Sequence, residues 1–117
     1  MDPTSKEQSQ IGLSDFQKVD IRVGRVERVE EFPKARKSAY KLWINFGELG
    51  VRQSSAQVTN YAKETLLNRL VVAVVNFPPR QIADFRSEVL VLGAPAEDGR
   101  IILLGLDEET PLGASIC

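Results

Sequence analysis

The sequence predicts an all-β fold, an OB-type five-stranded Greek-key barrel carrying one short helix. Short segments alternate apolar and polar residues with a period of two, the mark of half-buried strands. Their order is three strands, a short helix, then two or more strands, which fits such a barrel better than a sandwich. The alternation also slips phase inside the first strand, as it does where a small barrel turns a corner on a β-bulge.

Residues 1–13 read as a flexible polar arm and residues 14–117 as one domain. Ser14 or Asp15 can cap a short turn or helix around Phe16. Val19, Ile21 and Val23 share one face of the first strand, opposite Asp20 and Arg22. Val26 falls on the other phase, so Gly24 is the expected bulge. Tyr40, Leu42, Ile44 and Phe46 alternate with Lys41, Trp43 and Asn45 in the second strand. Residues 51–58 make a third strand of small and polar residues. Thr59 or Asn60 is placed to cap a helix over 61–68 anchored by Leu66 and Leu67. The β-branched run 70–75 reads as a buried central strand that ends in a Pro78-Pro79 loop, with another strand over 89–92. Asp98-Gly99 signals a hairpin leading into 100–104, and 114–117 is a candidate last strand.

The chain has no histidine and a single cysteine, Cys117. That excludes Ser–His and Cys–His nucleophile systems, His-ligated metals and thiolate zinc sites. A binding protein with no metal and no cofactor is therefore expected rather than an enzyme. Cys117 is terminal, lacks a basic neighbour and reads as inert. No apolar run approaches the roughly 20 residues of a membrane span, and the N-terminus lacks the apolar core of a signal peptide. The expected address is cytoplasmic, without membrane insertion. The net charge of −1 hides an asymmetry: residues 1–95 carry 14 Lys/Arg against 11 Asp/Glu, and residues 96–117 carry one Arg against five acids.

Lys34, Arg36 and Lys37, joined by Lys41, form a basic cluster between the first two strands. OB barrels commonly bind oligonucleotides with that loop, and such a cluster can neutralise several phosphates; the plainer reading is a solvated loop. Arg22, Arg25 and Arg28 are interleaved with Asp20, Glu27, Glu30 and Glu31, and local cross-strand pairing is the better reading. Asn76, Arg80, Gln81, Arg86 and Ser87 border or occupy the loop that two prolines stiffen. Asn and Gln can read base edges, Arg can take phosphates or stack, and Ser can contact the RNA backbone. Asn76 at a strand end can equally hydrogen-bond its own turn. Trp43, on the polar phase of its strand, is a candidate base-stacking platform, a cover for a barrel end or part of a dimer interface. Phe77 and Phe85 bracket the Pro-Pro loop as a candidate exposed patch for a peptide or a second subunit.

Several of these residues fall in ordered motifs: Phe16-Gln-Lys-Val-Asp-Ile-Arg-Val-Gly24, Phe32-Pro33-Lys-Ala-Arg-Lys37, Tyr40-Lys-Leu42, Asn76-Phe-Pro-Pro and Ser87-Glu88. They resemble the tRNA-binding OB domain shared by methionyl-tRNA synthetase C-terminal extensions and endothelial monocyte-activating polypeptide II. Within it, Ser54-Ser-Ala-Gln57 and the stretch from Val72 to Ile82 resemble the stand-alone bacterial CsaA subgroup. The resemblance implies a homodimer whose interface is built by segments flanking the barrel. It also implies tRNA binding and a chaperone role in protein export, with unfolded preproteins as clients and the export translocase as a candidate further partner. The family's tRNA-contact positions fall on Lys37 and Ser87, with Leu90 where a methionine is usual and Val89 where a glycine precedes it. The expected RNA site is therefore Lys34, Arg36, Lys37, Asn76, Arg80, Arg86, Ser87 and Leu90, with Trp43, Phe77 and Phe85 as a weaker peptide site. The alternative is a dedicated preprotein-binding chaperone whose RNA affinity is incidental.

Overall fold

Apolar residues at every second position commit the strand Tyr40–Asn45 (β2) to one inner and one outer face. Tyr40, Leu42 and Ile44, continued by Phe46, are buried in the core, while Lys41, Trp43 and Asn45 lie on the outer face. The structure, a computed structural model, describes residues 9–117. β2 pairs antiparallel with the long strand Ile21–Glu31 (β1) and with Val51–Ala56 (β3). The first half of β1 pairs with Leu70–Val74 (β4), and β4 pairs with Leu90–Val91 (β7). The sheet order is thus β3-β2-β1-β4-β7, all antiparallel.

The two edges of that sheet meet and nearly close it into a barrel. Glu88 N–H donates to the Gln53 carbonyl at 2.8 Å, and Gln53 N–H donates to Glu88 Oε1 at 2.9 Å. Ser54 Oγ donates to the Val89 carbonyl at 2.9 Å, and Ser55 N–H donates to Ser87 Oγ at 3.0 Å. Side chains therefore replace much of the backbone ladder along this seam, and the small polar residues of β3 are what let it close. The expected OB-type barrel is the observed fold.

Among the described residues, two hairpins, two short α-helices and a 3-10 turn, Gly47–Leu49, decorate the barrel. Arg80–Ile82 (β5) pairs with Phe85–Ser87 (β6), and Gly93–Pro95 (β8) pairs with Ile101–Leu103 (β9) across the Asp98-Gly99 turn. The helix Leu13–Gln17 (α1) precedes β1, and Lys63–Leu66 (α2) sets a fully buried Leu66 into the core.

Several local expectations are corrected. The register shift in β1 lies between Val26 and Arg28, not at Gly24. Gly24 is required for another reason: a Cβ there would stand 2.5 Å from Ile44 Cγ2 and 2.7 Å from Phe46 Cε1. The helix expected over 61–68 spans only Lys63–Leu66, starts from Ala62 and leaves Leu67 exposed. Asn60 does not cap it but donates to the Ile101 carbonyl at 3.2 Å. Segment 114–117 is no sheet strand; it joins β1 by an isolated Arg22–Ser115 bridge and by the Val23 N–H to Ala114 carbonyl bond. The Pro-Pro loop is mostly a hairpin, β5–β6. Of the arm expected over 1–13, residues 1–8 lie outside the described residues, 9–12 are exposed, and Leu13 already begins α1.

Candidate nucleic-acid interface

The two segments that carry the predicted cations come together. The loop 32–39 between β1 and β2 forms one wall of a cleft of about 720 Å³, and the β5–β6 hairpin forms the other. Lys34, Arg36 and Lys37 line the first wall, and Arg80 and Gln81 the second. The floor is mainly aliphatic and includes Val91 and the half-exposed Leu90, beside Ser55 of β3.

An aromatic cluster outside the barrel fixes these walls. Phe85 packs edge-on against Phe32 at 5.5 Å and against Trp43 at 5.8 Å between ring centroids. Arg28 lies over the Trp43 ring at 4.4 Å, and Lys41 approaches Phe32 and Phe85 at 5.0 and 5.3 Å. Since Phe32 roots the basic loop and Phe85 belongs to the hairpin, packing between them sets the width of the cleft.

Charge pairing separates the cations into two groups. Arg22, Arg25, Arg28, Lys63 and Arg100 each hold an acid, Asp20, Glu109, Glu30, Glu31 and Asp98 respectively. The local pairing expected for the β1 arginines is observed for Arg22 and Arg28, each with an acid two residues away rather than across strands, whereas Arg25 pairs with the distant Glu109. Among the described residues, Arg36, Lys37, Lys41, Arg52, Arg69, Arg80 and Arg86 make no ion pair, and three of them, Arg36, Lys37 and Arg80, face one cleft. Lys34 is different. Its Nζ meets Asp84 Oδ2 at 2.9 Å, a hydrogen bond that raises the lysine's pKa and lowers the carboxylate's.

Five of the eight expected RNA residues therefore share the cleft: Lys34, Arg36, Lys37, Arg80 and Leu90. Arg86 is exposed on β6 and does not line it. Ser87 is only 9% exposed, and its hydroxyl is engaged in the closing seam. Asn76 lies away from the cleft, where Oδ1 accepts the Asp20 N–H at 2.9 Å and Nδ2 donates to the Lys18 carbonyl at 2.8 Å. Its amide bridges to the α1–β1 connection instead of capping its own turn.

The peptide candidates divide likewise. Phe85 is 6% exposed, so it cannot form an exposed patch with Phe77; the hairpin turns it inward onto Phe32 and Trp43. Trp43 is partly buried beneath that hairpin, whereas Phe77 remains 52% exposed. Sequence reasoning missed Asp84, a lone acid with no local motif, and gave no role to Ser55, although it noted the polar character of β3. Among the described residues, no group of three or more His, Cys, Asp or Glu is placed to hold a metal, and no helix is long and apolar enough to cross a membrane.

Comparison with known proteins identifies the family of the chain. A family model described as "Putative tRNA binding domain" matches residues 21–115. The methionine–tRNA ligase of Archaeoglobus fulgidus is 33% identical over 112 residues, which is 96% of this chain and 17% of that enzyme. Among solved structures, the CsaA chaperone of Picrophilus torridus is 53% identical with a TM-score of 0.87, over 92% of this chain and 100% of the other. The CsaA chaperone of Bacillus anthracis is 49% identical with the same TM-score, over 92% and 99% of the two chains. The expectation of a binding module agrees with the tRNA-binding family model and with the chaperone structures.

Proposed function

Because this chain belongs to the tRNA-binding-domain family, we propose that it binds tRNA without catalysis and acts as a chaperone for unfolded preproteins in the cytoplasm. The observation that carries the RNA reading is the convergence of Arg36, Lys37 and Arg80, none with an acidic partner among the described residues, on the two walls of one cleft. Cations that have no internal partner release counterions when phosphates arrive, so affinity falls steeply with salt. Among the described residues, none that lines the cleft is aromatic. The cleft therefore suits phosphate and shape recognition better than the stacking of a single strand, and sequence preference should be weak.

The test is tRNA binding measured across a salt series for the unaltered protein and for Lys37→Ala. The variant should bind more weakly and lose about 0.7–0.9 from the log–log salt slope, one phosphate contact. Unchanged affinity at low salt in a folded variant would remove Lys37 from the site.

A second reading, a peptide-binding chaperone with incidental RNA affinity, is favoured by the exposure of Phe77 and by the CsaA relatives. Competition between labelled unfolded preprotein and bulk tRNA separates the two: mutual displacement means a shared cleft, independent binding a separate peptide surface. The exposed Ile11 before α1, Leu13 at its start, and Leu104 after β9 support self-association through segments flanking the barrel. Sedimentation equilibrium would show a dimer if that is so. The export translocase is a proposed further partner, to be sought by crosslinking in cells.

A further inference from the structure

Lys34 lines the cleft and Asp84 stands at the tip of the hairpin that forms its other wall; 50 residues apart in the chain, their side chains meet at 2.9 Å. Asp84 occupies the two-residue turn between the paired Ile82 and Phe85. Its neighbour Ala83 takes φ +53°, a left-handed backbone that a residue with a Cβ adopts only at a cost. Turns of this kind normally select glycine at that position. The hairpin holds the costly conformation through Phe85, clamped on Phe32 and Trp43, and through Gln81 Nε2, which donates to the Ala83 carbonyl at 3.1 Å. The strained tip carries an acid to a rim of cations, and strain of this kind clusters at ligand-binding sites. Among the described residues, those lining the cleft include no Asp or Glu. The carboxylate that reaches across to them comes from this tip.

We propose that Asp84 is an affinity-limiting residue of the cleft, a tethered carboxylate that occupies Lys34 and competes with the phosphates of an incoming RNA. The proposal rests on the RNA-binding reading above and adds to it a division of labour. Arg36, Lys37 and Arg80 make the first contacts, since nothing must be displaced from them. Lys34 contributes only after a phosphate has replaced Asp84. A lone phosphate gains little from that exchange, one oxyanion for another. A polyanion already held by three cations meets Lys34 at high local concentration and can drive the exchange. Asp84 therefore discriminates against mononucleotides and keeps polyanion binding reversible.

The experiment is a double-mutant cycle read by tRNA affinity across a NaCl series, using the unaltered protein, Asp84→Asn, Lys34→Ala and the double variant. Asp84→Asn should tighten binding on the order of three- to tenfold at low salt and steepen the salt slope by up to about 0.7–0.9, the share of one released phosphate contact. In the Lys34→Ala background the same substitution should lose most of that gain. No tightening overturns the proposal, and so does equal tightening with and without Lys34, which would make Asp84 a general rim charge. Asp84→Ser serves if Asp84→Asn does not fold, and thermal unfolding of each variant confirms the fold. If Lys37→Ala weakens binding while Asp84→Asn leaves it unchanged, only this inference falls. If the unaltered protein binds no tRNA, both readings fall.

Discussion

The hydroxyl of Ser87 accepts the backbone N–H of Ser55 at 3.0 Å, and this bond closes the barrel between strands far apart in sequence. A position that the family resemblance marks for tRNA contact is thus engaged in structure. Ser87→Ala leaves the Ser55 N–H without its acceptor in a partly buried seam, so it should destabilise the fold by about 1–2 kcal/mol. Denaturant unfolding checks this. A loss of tRNA affinity at unchanged stability would return Ser87 to direct contact.

Gly24→Ala should destabilise more broadly. The added Cβ would press against Ile44 and Phe46, both fully buried, and overpacking of this kind costs about 1–3 kcal/mol. A variant as stable as the unaltered protein would show that the core at this point can yield. The same glycine shows how sequence reasoning worked and where it stopped. The slip of alternation after Val23 correctly signalled an irregular β1, because periodicity is local. It assigned the irregularity to the glycine, whereas the bulge lies at Glu27 and Gly24 serves the packing of β2 beneath it.

The same division runs through the rest of the molecule. The five barrel strands were legible because alternation and β-branched runs are written within single segments, as in 70–75. The β5–β6 hairpin was not, because its turn puts Ala83 where a glycine or asparagine would have announced positive φ. Within the candidate site, the cations of 34–37 and Arg80 were legible by type. The pairing of Lys34 with Asp84 and the engagement of Ser87 and Asn76 were not, since each depends on a partner that only the folded chain brings close.

Trp43→Phe tests whether the outer aromatic cluster is a scaffold or a stacking platform. Arg28 covers the indole and Phe85 meets its edge, so the substitution should destabilise by about 1–2 kcal/mol through lost packing and cation–π contact. Affinity for tRNA should stay within about twofold, because losing a stacked base would cost about 1–3 kcal/mol. A large affinity loss with intact stability, seen by filter binding beside thermal unfolding, would establish stacking.

The Lys34–Asp84 pair predicts a defined pH response. The hydrogen bond from Lys34 holds the Asp84 carboxyl below the usual carboxylate range, with a smaller contribution from the charge of Lys41. A depressed acid contributes stability that is complete above its unfolded pKa, about 3.9, and that disappears as pH falls through the lower folded value. Lys34 is raised by the same bond, so its share is complete below about 10.4 and disappears only as pH rises through the higher folded value. The pair therefore holds across the whole neutral range, and acid alone frees Lys34 by protonating its partner. Carbon-detected NMR titration of the Asp84 carboxyl should give a midpoint below the ordinary aspartate value. In Lys34→Ala that midpoint should move up, though not completely, because Lys41 remains nearby. A midpoint at or above the ordinary value, or one indifferent to Lys34, would mean that the two side chains are not paired in solution and that Lys34 stands as free for phosphate as Arg36 and Lys37.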